Sequence, residues 1–459
     1  MRTYLRCKLT LWLSLSVLVY ILPLRAFSLE GRPSILQKIP QQKDGFTFLQ
    51  NPRNSILENA KHHVAAVSAD DLQMTLSDSA VIISKSLVKS FLGSDKTLIT
   101  AHKALSGLKN RKKILCALFT DFSYVSFKVF VKMLKQVNAE NAYSCDWAII
   151  GYTGEKDILN RMTQSALKAG VNLVFADYAM SIPDLLKRYW PEQEYPAAKS
   201  FNLLNKSLFA KGYPKPLLFY TVKEIARQYQ YVWILDNDVL LDGEGGVFDF
   251  ETLYNNLRCG MFPNERPLVT QLTNSENNNR VYSYLNKNVW HRQDVYMLFS
   301  AFVEIQSPIF DSIFFDWFLD TIISPTIAPI LITGSDYGID NVLCGAAKFY
   351  AQSLRRLQNR NTTQEAELPL RRAEQEMCAI HTRQYFKHLD LKTSISRFSR
   401  SELIREYAYK HKLYLIFLDI FPQFFCYGQL WENDPSKAVN AKRFVRKSGA
   451  LDKRCLAVN

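Results

Sequence analysis

Between about residues 111 and 240, short apolar runs alternate with segments whose apolar residues recur every three or four positions. "ILCALFT", which begins at Ile114, precedes "YVSFKVFVKMLKQV". "DWAIIGYTG" then precedes "DILNRMTQSALKAG", and "VNLVFADY" follows. The short runs predict buried strands, and the longer period predicts helices. The alternation therefore predicts βαβ units in an α/β domain with a mostly parallel, twisted sheet flanked by helices.

A fourth strand is predicted in "YVWILDNDV", after the segment "PKPLLFYTVKEIARQYQ". Pro214 and Pro216 suit an extended entry followed by a helix start. The strand is predicted to end at Asp236, with Asp238 two residues later. Because ligands of open α/β sheets gather at the carboxyl ends of the strands, this is the expected position of a site.

The remaining pattern predicts a less regular succession of elements. "RPLVTQLTNS" and "FSAFVEIQSPIF" predict further strands, and "DSIFFDWFLDTI" predicts a helix with an apolar face. "GSDYGIDNVLCGAAKFYAQSL" predicts a loop that runs into a helix. "RLQNRNTTQEAELPLRRAEQE" predicts a charged loop, and "MCAIHTRQYFKHLD" a last short strand.

The amino terminus carries a targeting pattern. Arg2, Arg6 and Lys8 precede an uncharged apolar run at residues 9–24, and the small residues of "AFS" follow at 26–28. A basic flank before such a run is typical of secretory signals. Residues 1–28 are therefore expected to be a cleaved signal peptide or a signal anchor. The chain is placed in the secretory pathway, either as a type II membrane protein of the Golgi or endoplasmic reticulum lumen or as a secreted protein.

Three further segments follow from the composition. Residues 29–110 are polar and weakly periodic, which predicts a spacer or stem. Residues 111–400 hold the predicted domain, and residues 401–459 form a basic extension. The formal net charge of +14 favours an anionic substrate or surface. No nucleic-acid-binding motif accompanies that charge, so nucleic acid is not an expected partner.

Eight cysteines occur without a C-x-x-C pair, which argues against a zinc ribbon or a redox motif. Cys116, Cys145 and Cys344 lie in apolar runs and are interpreted as core thiols. In an oxidising lumen, one or two disulfides among the last seven cysteines are also expected, with the pairing left open. The sequon at Asn361, in the predicted polar loop, suggests a glycoprotein.

The aspartate pair itself predicts a metal site. Asp236 and Asp238, at i and i+2, would repel each other, and each would raise the pKa of the other. A divalent cation removes that conflict, and oxygen ligands suit Mn²⁺ or Mg²⁺. Such an ion also bridges protein carboxylates to a substrate diphosphate and stabilises the charge of a departing nucleotide.

Ordered landmarks over residues 113–391 strengthen this interpretation. They are "AAKSFNLLNKSLF", "PKPLLFY", "YVWILDNDV", "LVTQLTNSE", "FVEIQSPIF", "YGIDNVLCGAA" and "YFKHLDLKT". In their order and spacing the chain resembles the domain-of-unknown-function family labelled "lysine-ketoglutarate reductase trans-splicing related". That family is similar to nucleotide-diphospho-sugar glycosyltransferases with the A-type, Rossmann-like fold. The reductase in the label receives no support, because no G-x-G-x-x-G turn follows a strand.

The resemblance implies a metal-dependent glycosyltransferase. It would move a sugar from a nucleotide-diphosphate donor to a glycan or glycoconjugate acceptor, with Mn²⁺ or Mg²⁺ as cofactor. Asp236 and Asp238 match the family's acidic pair. His388 matches the histidine of its closing strand, which implies a third metal ligand, although an exposed histidine is the alternative.

The resemblance also implies positions for the two substrates. Thr120 and Asp121, at the end of the first strand, would face the nucleotide. Lys215 would neutralise phosphate. Glu304 and Gln271 would bind the acceptor, with a buried structural carboxylate as the alternative for Glu304.

A base that deprotonates the acceptor hydroxyl is implied at Asp340, the acid of the "YGID" segment, with Asp336 as its competitor. Capping of the following helix is the alternative role for Asp340. His381 stands where the family tends to have an acid, and this departure leaves any role there in doubt.

Two rival functions remain at this point. "WILDNDVLL" also fits a phosphatase of the haloacid-dehalogenase type, with Asp236 as nucleophile and Asp238 as acid/base. That fold carries its aspartates on the first core strand, whereas three strands are predicted before Asp236 here. The second rival is a non-catalytic lumenal protein that binds nucleotide-sugar or glycan.

Overall fold

The computed structural model describes residues 111–137, 145–189, 214–243, 246, 248–258, 267–274, 295–300, 302–305, 307–333, 338–361 and 377–389, with shorter pieces before and after them. The predicted signal, most of the spacer and most of the basic extension lie outside the described residues. No helix in the described part of the chain is long and apolar enough to cross a membrane.

The first four strands form the parallel half of the sheet. Its elements are β1 (Lys112–Thr120), α1 (Tyr124–Gln136), β2 (Cys145–Gly151), α2 (Lys156–Lys168), β3 (Asn172–Tyr178), α3 (Ile182–Tyr189), α4 (Lys215–Ala226) and β4 (Tyr229–Asp236). β1 pairs in parallel with β2 on one side and with β4 on the other, and β2 pairs in parallel with β3. The predicted βαβ units are therefore confirmed.

The second half contains shorter strands and an interrupted helical region. Its elements are β5 (Val239–Gly243), α5 (Phe250–Arg258), β6 (Val269–Asn274), β7 (Val295–Ser300), β8 (Ile309–Asp311), α6 (Ser312–Phe318), a π-helix (Leu319–Ile323), a 3₁₀-helix (Ser324–Thr326), α7 (Ile327–Thr333), α8 (Ile339–Asn361), β9 (Cys378–His388) and β10 (Phe444–Arg446). The strand order is β10-β7-β9-β6-β8-β4-β1-β2-β3, with β5 paired to β9.

The prediction of a mostly parallel sheet is wrong for this second half. β8 is antiparallel to both β4 and β6, and β9 is antiparallel to β5 and β7. β6 and β9 are the parallel pair of this half. Parallel neighbours need a crossover connection, usually a helix, whereas antiparallel pairing does not. The result is a mixed α/β sheet with flanking helices.

Several predicted boundaries also differ from the structure. In "FSAFVEIQSPIF", the described residues between β7 and β8 form no strand. α8 extends to Asn361, into the segment predicted as a charged loop. The predicted last short strand is β9, which has 11 residues and lies inside the sheet between β7 and β6. Boundaries of this kind depend on neighbouring strands, which a local pattern does not specify.

The core lies on both faces of the sheet. Along β1, Leu115, Ala117 and Phe119 belong to one buried cluster, and the alternate residues Cys116 and Leu118 belong to the other. A strand covered on both faces has no polar side, which explains why β1 is apolar without interruption from Ile114 to Phe119.

Two disulfides correct the interpretation of Cys116, Cys145 and Cys344 as core thiols. Cys116 on β1 is bonded to Cys145 on the neighbouring β2. Cys344 in α8 is bonded to Cys378 at the start of β9. Burial in an apolar run does not distinguish a thiol from a disulfide, because the partner is supplied by another element. The expectation of one or two disulfides is confirmed.

Candidate active site

The carboxyl ends of the parallel strands meet at one edge of the sheet. In the pairing register, Phe119 on β1 lies opposite Asp236 on β4, and Thr120 lies opposite Gly151 on β2. The loop that follows β1 therefore begins beside the first aspartate of the pair. Sequence order and parallel pairing together position Asp121 and Asp236 as neighbours.

The loop after β1 is fixed by close packing. Phe122 has a positive φ of 45° and is fully buried. Its ring occupies the space beside Gly151, where an added Cβ would lie 1.9 Å from a ring atom. Glycine is therefore required at the end of β2. The buried ring holds the turn over the sheet and orients the preceding Asp121 toward β4.

Asp121 is joined by hydrogen bonds to the residue between the two aspartates. Its Oδ1 accepts from the backbone N of Ser123 at 3.1 Å, from Ser126 Oγ at 2.5 Å and from Asn237 Nδ2 at 3.2 Å. Asn237 Nδ2 also lies 2.7 Å from Ser126 Oγ. Asn237 thus connects the β1 loop to the β4–β5 turn. Sequence reasoning missed Asn237 and Ser126, since no local pattern brings them together.

Thr120 has a structural contact in this loop. The residue is 0% exposed, and its Oγ1 accepts a hydrogen bond from the backbone N of Phe122 at 3.2 Å. These contacts support the turn. The proposed nucleotide contact of Thr120 stays a prediction, as does that of Asp121.

Each aspartate of the pair has a nitrogen-bearing partner. Asp236 Oδ1 lies 2.7 Å from Lys215 Nζ. Asp238 Oδ1 lies 3.2 Å from His388 Nε2. β5 and β9 pair so that Val239 faces His388, which brings the imidazole to the β4–β5 turn. The structure therefore unites Asp236, Asp238, Lys215 and His388, four residues that the sequence analysis selected.

The electrostatics of this edge are dominated by carboxylates. Burial raises the pKa of Asp236 above its ordinary value; the Lys215 charge opposes this shift, and the Asp238 charge adds to it. The Asp236 side chain is still 28% exposed, so the site is open at that point. Burial also raises the pKa of the Tyr152 hydroxyl, and the charges of Asp121, Asp236 and Asp238 raise it further. Tyr152 was not identified from the sequence.

A second group of polar side chains lies on the irregular segment between β7 and β8. The backbone N of Glu304 donates to Gln271 Oε1 on β6 at 2.8 Å. Burial raises the pKa of Glu304 to about 7, and the neighbouring Asp340 charge contributes in the same direction. The structure thus brings Glu304, Gln271 and Asp340 together. In the same segment, the carbonyl of Ile305 accepts a hydrogen bond from Lys215 Nζ at 2.6 Å, which joins the two groups.

Asp340 lies in the first turn of α8. Its Oδ1 accepts from the backbone N of the adjacent Asn341 at 3.0 Å, so part of its hydrogen-bonding capacity is local. Asp336, its competitor for the role of base, lies outside the described residues. His381 is fully buried, with Nε2 2.9 Å from Asn256 Nδ2 and Nδ1 accepting from the backbone N of Gln384. Those contacts give His381 a structural role within β9.

The side chains at this edge carry atoms that suit a hard divalent cation as ligands. The edge carries more acidic than basic groups: Asp121, Asp236, Asp238, Glu304 and Asp340 against Lys215 and His388. Carboxylate oxygens with one imidazole are ligands that Mn²⁺ accepts. Over the described residues, however, no group of three or more His, Cys, Asp or Glu side chains is arranged to hold a metal ion. The side-chain types themselves nevertheless suit the ion.

Comparison with known proteins gives limited similarity. Neither a family model nor a curated protein matches the chain, so the family label suggested by the sequence landmarks has no support there. TarS 1–349 of S. aureus in complex with UDP-GlcNAc has 10% sequence identity and a TM-score of 0.32, covering 67% of each chain.

Two mannosyltransferase structures are similar at the same level. PcManGT from Pyrobaculum calidifontis, in complex with GDP-Man and Mn²⁺, has 10% identity and a TM-score of 0.26, covering 75% of this chain and 86% of its own. Ktr4p from S. cerevisiae has 10% identity and a TM-score of 0.22, covering 79% of this chain and 78% of its own. At such TM-scores the likeness carries no argument, and the function has to be argued from the site.

Proposed function

We propose that the protein is a metal-dependent glycosyltransferase of the secretory pathway. It would transfer a sugar from a nucleotide-diphosphate donor to a glycan or glycoconjugate acceptor. One observation carries this proposal: Asp236 and Asp238 follow the fourth parallel strand at the carboxyl edge of the sheet, beside Lys215 and His388. This edge is where open α/β sheets bind their ligands.

The donor half of the site would bind the nucleotide diphosphate through charge. Asp236, Asp238 and His388 would hold Mn²⁺ or Mg²⁺, and the bound ion would neutralise the diphosphate and stabilise the departing nucleotide. An excess of carboxylates would repel a diphosphate unless a cation entered with it. Lys215 supplies a further positive charge at the same place. Asp121 lies beside Asn237 and would face the nucleotide.

The acceptor half of the site would remove a proton. In a direct displacement, the acceptor oxygen forms a bond to the sugar carbon while the bond from that carbon to the diphosphate breaks. The hydroxyl proton would pass to Asp340 or to its competitor Asp336. Glu304, whose pKa is raised to about 7, and Gln271 would bind and orient the acceptor hydroxyls.

The secretory location rests on two features of the chain. A basic flank precedes the apolar run at residues 9–24, which is the pattern of a signal peptide or anchor. Two disulfides lie within the described domain, and such bonds persist in oxidising compartments. A membrane would be a partner if the segment is retained as an anchor.

The order of strands weighs against a haloacid-dehalogenase-type phosphatase. Asp236 follows β1, β2 and β3 in the chain, whereas that rival needs its nucleophile on the first core strand. A non-catalytic protein that binds nucleotide-sugar would use the same site. Turnover separates these two possibilities: a transferase consumes the donor in the presence of Mn²⁺, and a binding protein leaves it intact.

Calorimetric titration tests the proposal. Mn²⁺ is titrated with and without a nucleoside diphosphate into wild type, Asp238→Asn and Asp242→Asn. Asp242→Asn is the control, because it removes the charge of a nearby carboxylate on β5 that is not part of the aspartate pair. We expect the metal and the diphosphate to raise each other's affinity in wild type and control, because binding free energies are linked. Asp238→Asn should lose most of this coupling. Equal binding by all three proteins would reduce the aspartate pair to a polar turn.

A further inference from the structure

The ammonium group of Lys215 lies against Asp236, one of the two carboxylates to which the proposed metal would bind. Nζ lies 2.7 Å from Asp236 Oδ1 and 2.6 Å from the carbonyl oxygen of Ile305. The lysine side chain is only 10% exposed. A carboxylate oxygen and a carbonyl oxygen are the ligand types that hard divalent cations take.

The position of this lysine is set by the backbone. Lys215 is the first residue of α4, with Pro214 before it at φ −56° and Pro216 after it. Proline restricts the backbone at both flanking positions. The long side chain is flexible beyond the Cβ, so the ammonium can exchange partners within its reach while its Cα stays fixed.

We propose that Lys215 is an exchangeable counterion, an inference that rests on the proposed function. Without donor, its ammonium neutralises Asp236. With metal and nucleotide diphosphate present, Asp236 would hold the ion, and the Lys215 ammonium would leave this carboxylate and pair with the diphosphate. The Lys215 ammonium would thus change its ion-pair partner from the Asp236 carboxylate to the substrate diphosphate.

Distance and charge make the two cations competitors. Mg²⁺ binds carboxylate oxygens at about 2.0–2.1 Å, so an ion on Asp236 Oδ1 would lie within a few ångströms of the ammonium. Two cations that close repel each other strongly in a partly buried site. A diphosphate removes the conflict because its oxygens can bind both. Metal alone should therefore bind weakly, and metal with nucleotide should bind cooperatively.

The substitution Lys215→Met tests this competition, because methionine keeps an unbranched chain and removes the charge. By calorimetry, Lys215→Met should bind Mn²⁺ alone about 10-fold to 100-fold more tightly than wild type, within the usual range of coupling between sites. With Mn²⁺ present, it should bind a nucleoside diphosphate more weakly. Lys215→Arg, which keeps the charge, should remain near wild type in both titrations.

Lys223→Met is the matched control. Lys223 lies on the same helix, but its ammonium pairs with Asp320 and Asp316 instead of the aspartate pair. Its removal should leave Mn²⁺ affinity unchanged. Unchanged or weaker Mn²⁺ binding by Lys215→Met would overturn the proposal. So would metal-independent binding of the diphosphate by wild type, since Lys215 would then replace the metal permanently.

Chemical labelling of the wild-type protein gives a second measurement that needs no variant. Acylation of Lys215 by an amine-reactive reagent, read by peptide mass spectrometry, should rise when Mn²⁺ alone is added and fall when the nucleoside diphosphate follows. Lys112, whose side chain is 53% exposed and pairs with Asp146, is the internal control. Its acylation should stay constant unless Mn²⁺ or the diphosphate alters the reactivity of the reagent. If the extent of Lys215 acylation does not change when Mn²⁺ is added, the proposed exchange of the lysine counterion is wrong.

Failure of the proposed function has a different signature. In that case wild type binds no nucleoside diphosphate with or without Mn²⁺, whatever happens at Lys215. If only the exchange fails, wild type still binds the diphosphate, and either the gain in Mn²⁺ affinity of Lys215→Met is absent or the diphosphate binds without the metal.

Discussion

The two halves of the site treat negative charge in opposite ways. On the donor half, Asp236 and Asp238 each lie beside a nitrogen-bearing side chain, Lys215 and His388. On the acceptor half, burial is the main cause of the raised pKa of Glu304; the charge of Asp340 adds to the shift, and the charge of His388 opposes it. Carboxylates that face cations are suited to exchange one cation for another, whereas carboxylates that face each other are suited to hold a proton. Under the proposed function, this contrast would separate ion binding from proton transfer within one site.

The largest expected effect falls on the donor half. Asp236→Asn and Asp238→Asn should each lower turnover by about 10³ or more, comparable to the loss of a group that stabilises charge in a transition state. The fold should remain, because both carboxylates lie at the strand end. Turnover assays with matched thermal melts measure this. If either variant keeps wild-type turnover, the donor half does not depend on metal binding by that aspartate.

The acceptor half should respond to Asp340→Asn in turnover without losing donor binding. We expect a loss of about 10²–10⁴ in kcat, the usual contribution of a general base. Steady-state assays and calorimetry of the nucleoside diphosphate, performed on the same preparation, separate the two effects. Normal turnover by Asp340→Asn together with a loss in Asp336→Asn would transfer the role to Asp336.

Glu304 should make stability depend on pH in a direction opposite to that of an ion-paired carboxylate. Its pKa is raised from 4.5 to about 7, so the folded protein holds a proton that the unfolded chain releases. Its contribution is complete below the unfolded value and is lost as pH rises through about 7. Denaturant unfolding at pH 5 and pH 8 should show wild type losing more stability than Glu304→Gln. Parallel pH dependence of the two proteins would contradict this.

The smallest effect is expected at the link between the β1 loop and the aspartate turn. Asn237→Ala removes hydrogen bonds to Asp121 and Ser126 and should lower unfolding free energy by about 1 kcal/mol. Asn172→Ala, which removes an exposed bond to Asp146, is the control and should cost less. A larger loss in the control would mean that Asn237 does not organise the turn.

The sequence predicted the donor half far better than the acceptor half. β1, β2 and β4 are recognisable because strands buried on both faces leave uninterrupted apolar runs, and the helices between them are amphipathic. Those patterns placed Asp236 at a strand end. Lys215 and His388 reach the pair only through tertiary packing. The antiparallel strands, both disulfides and the approach of Glu304 to Asp340 depend on contacts between distant segments. No period in the sequence encodes such contacts.

The bond between Cys344 and Cys378 has a practical consequence for handling the protein. Asp340 lies about one helical turn before Cys344 in α8, and β9, which starts at Cys378, ends at His388. One covalent link therefore joins the element that carries the candidate base to the strand that presents the candidate metal ligand. Reducing agents in purification buffers, and production in a reducing cytosol, remove this link together with the Cys116–Cys145 bond between β1 and β2. Preparations from oxidising and reducing hosts would therefore differ in their disulfides. Activity measurements should compare protein from both kinds of host.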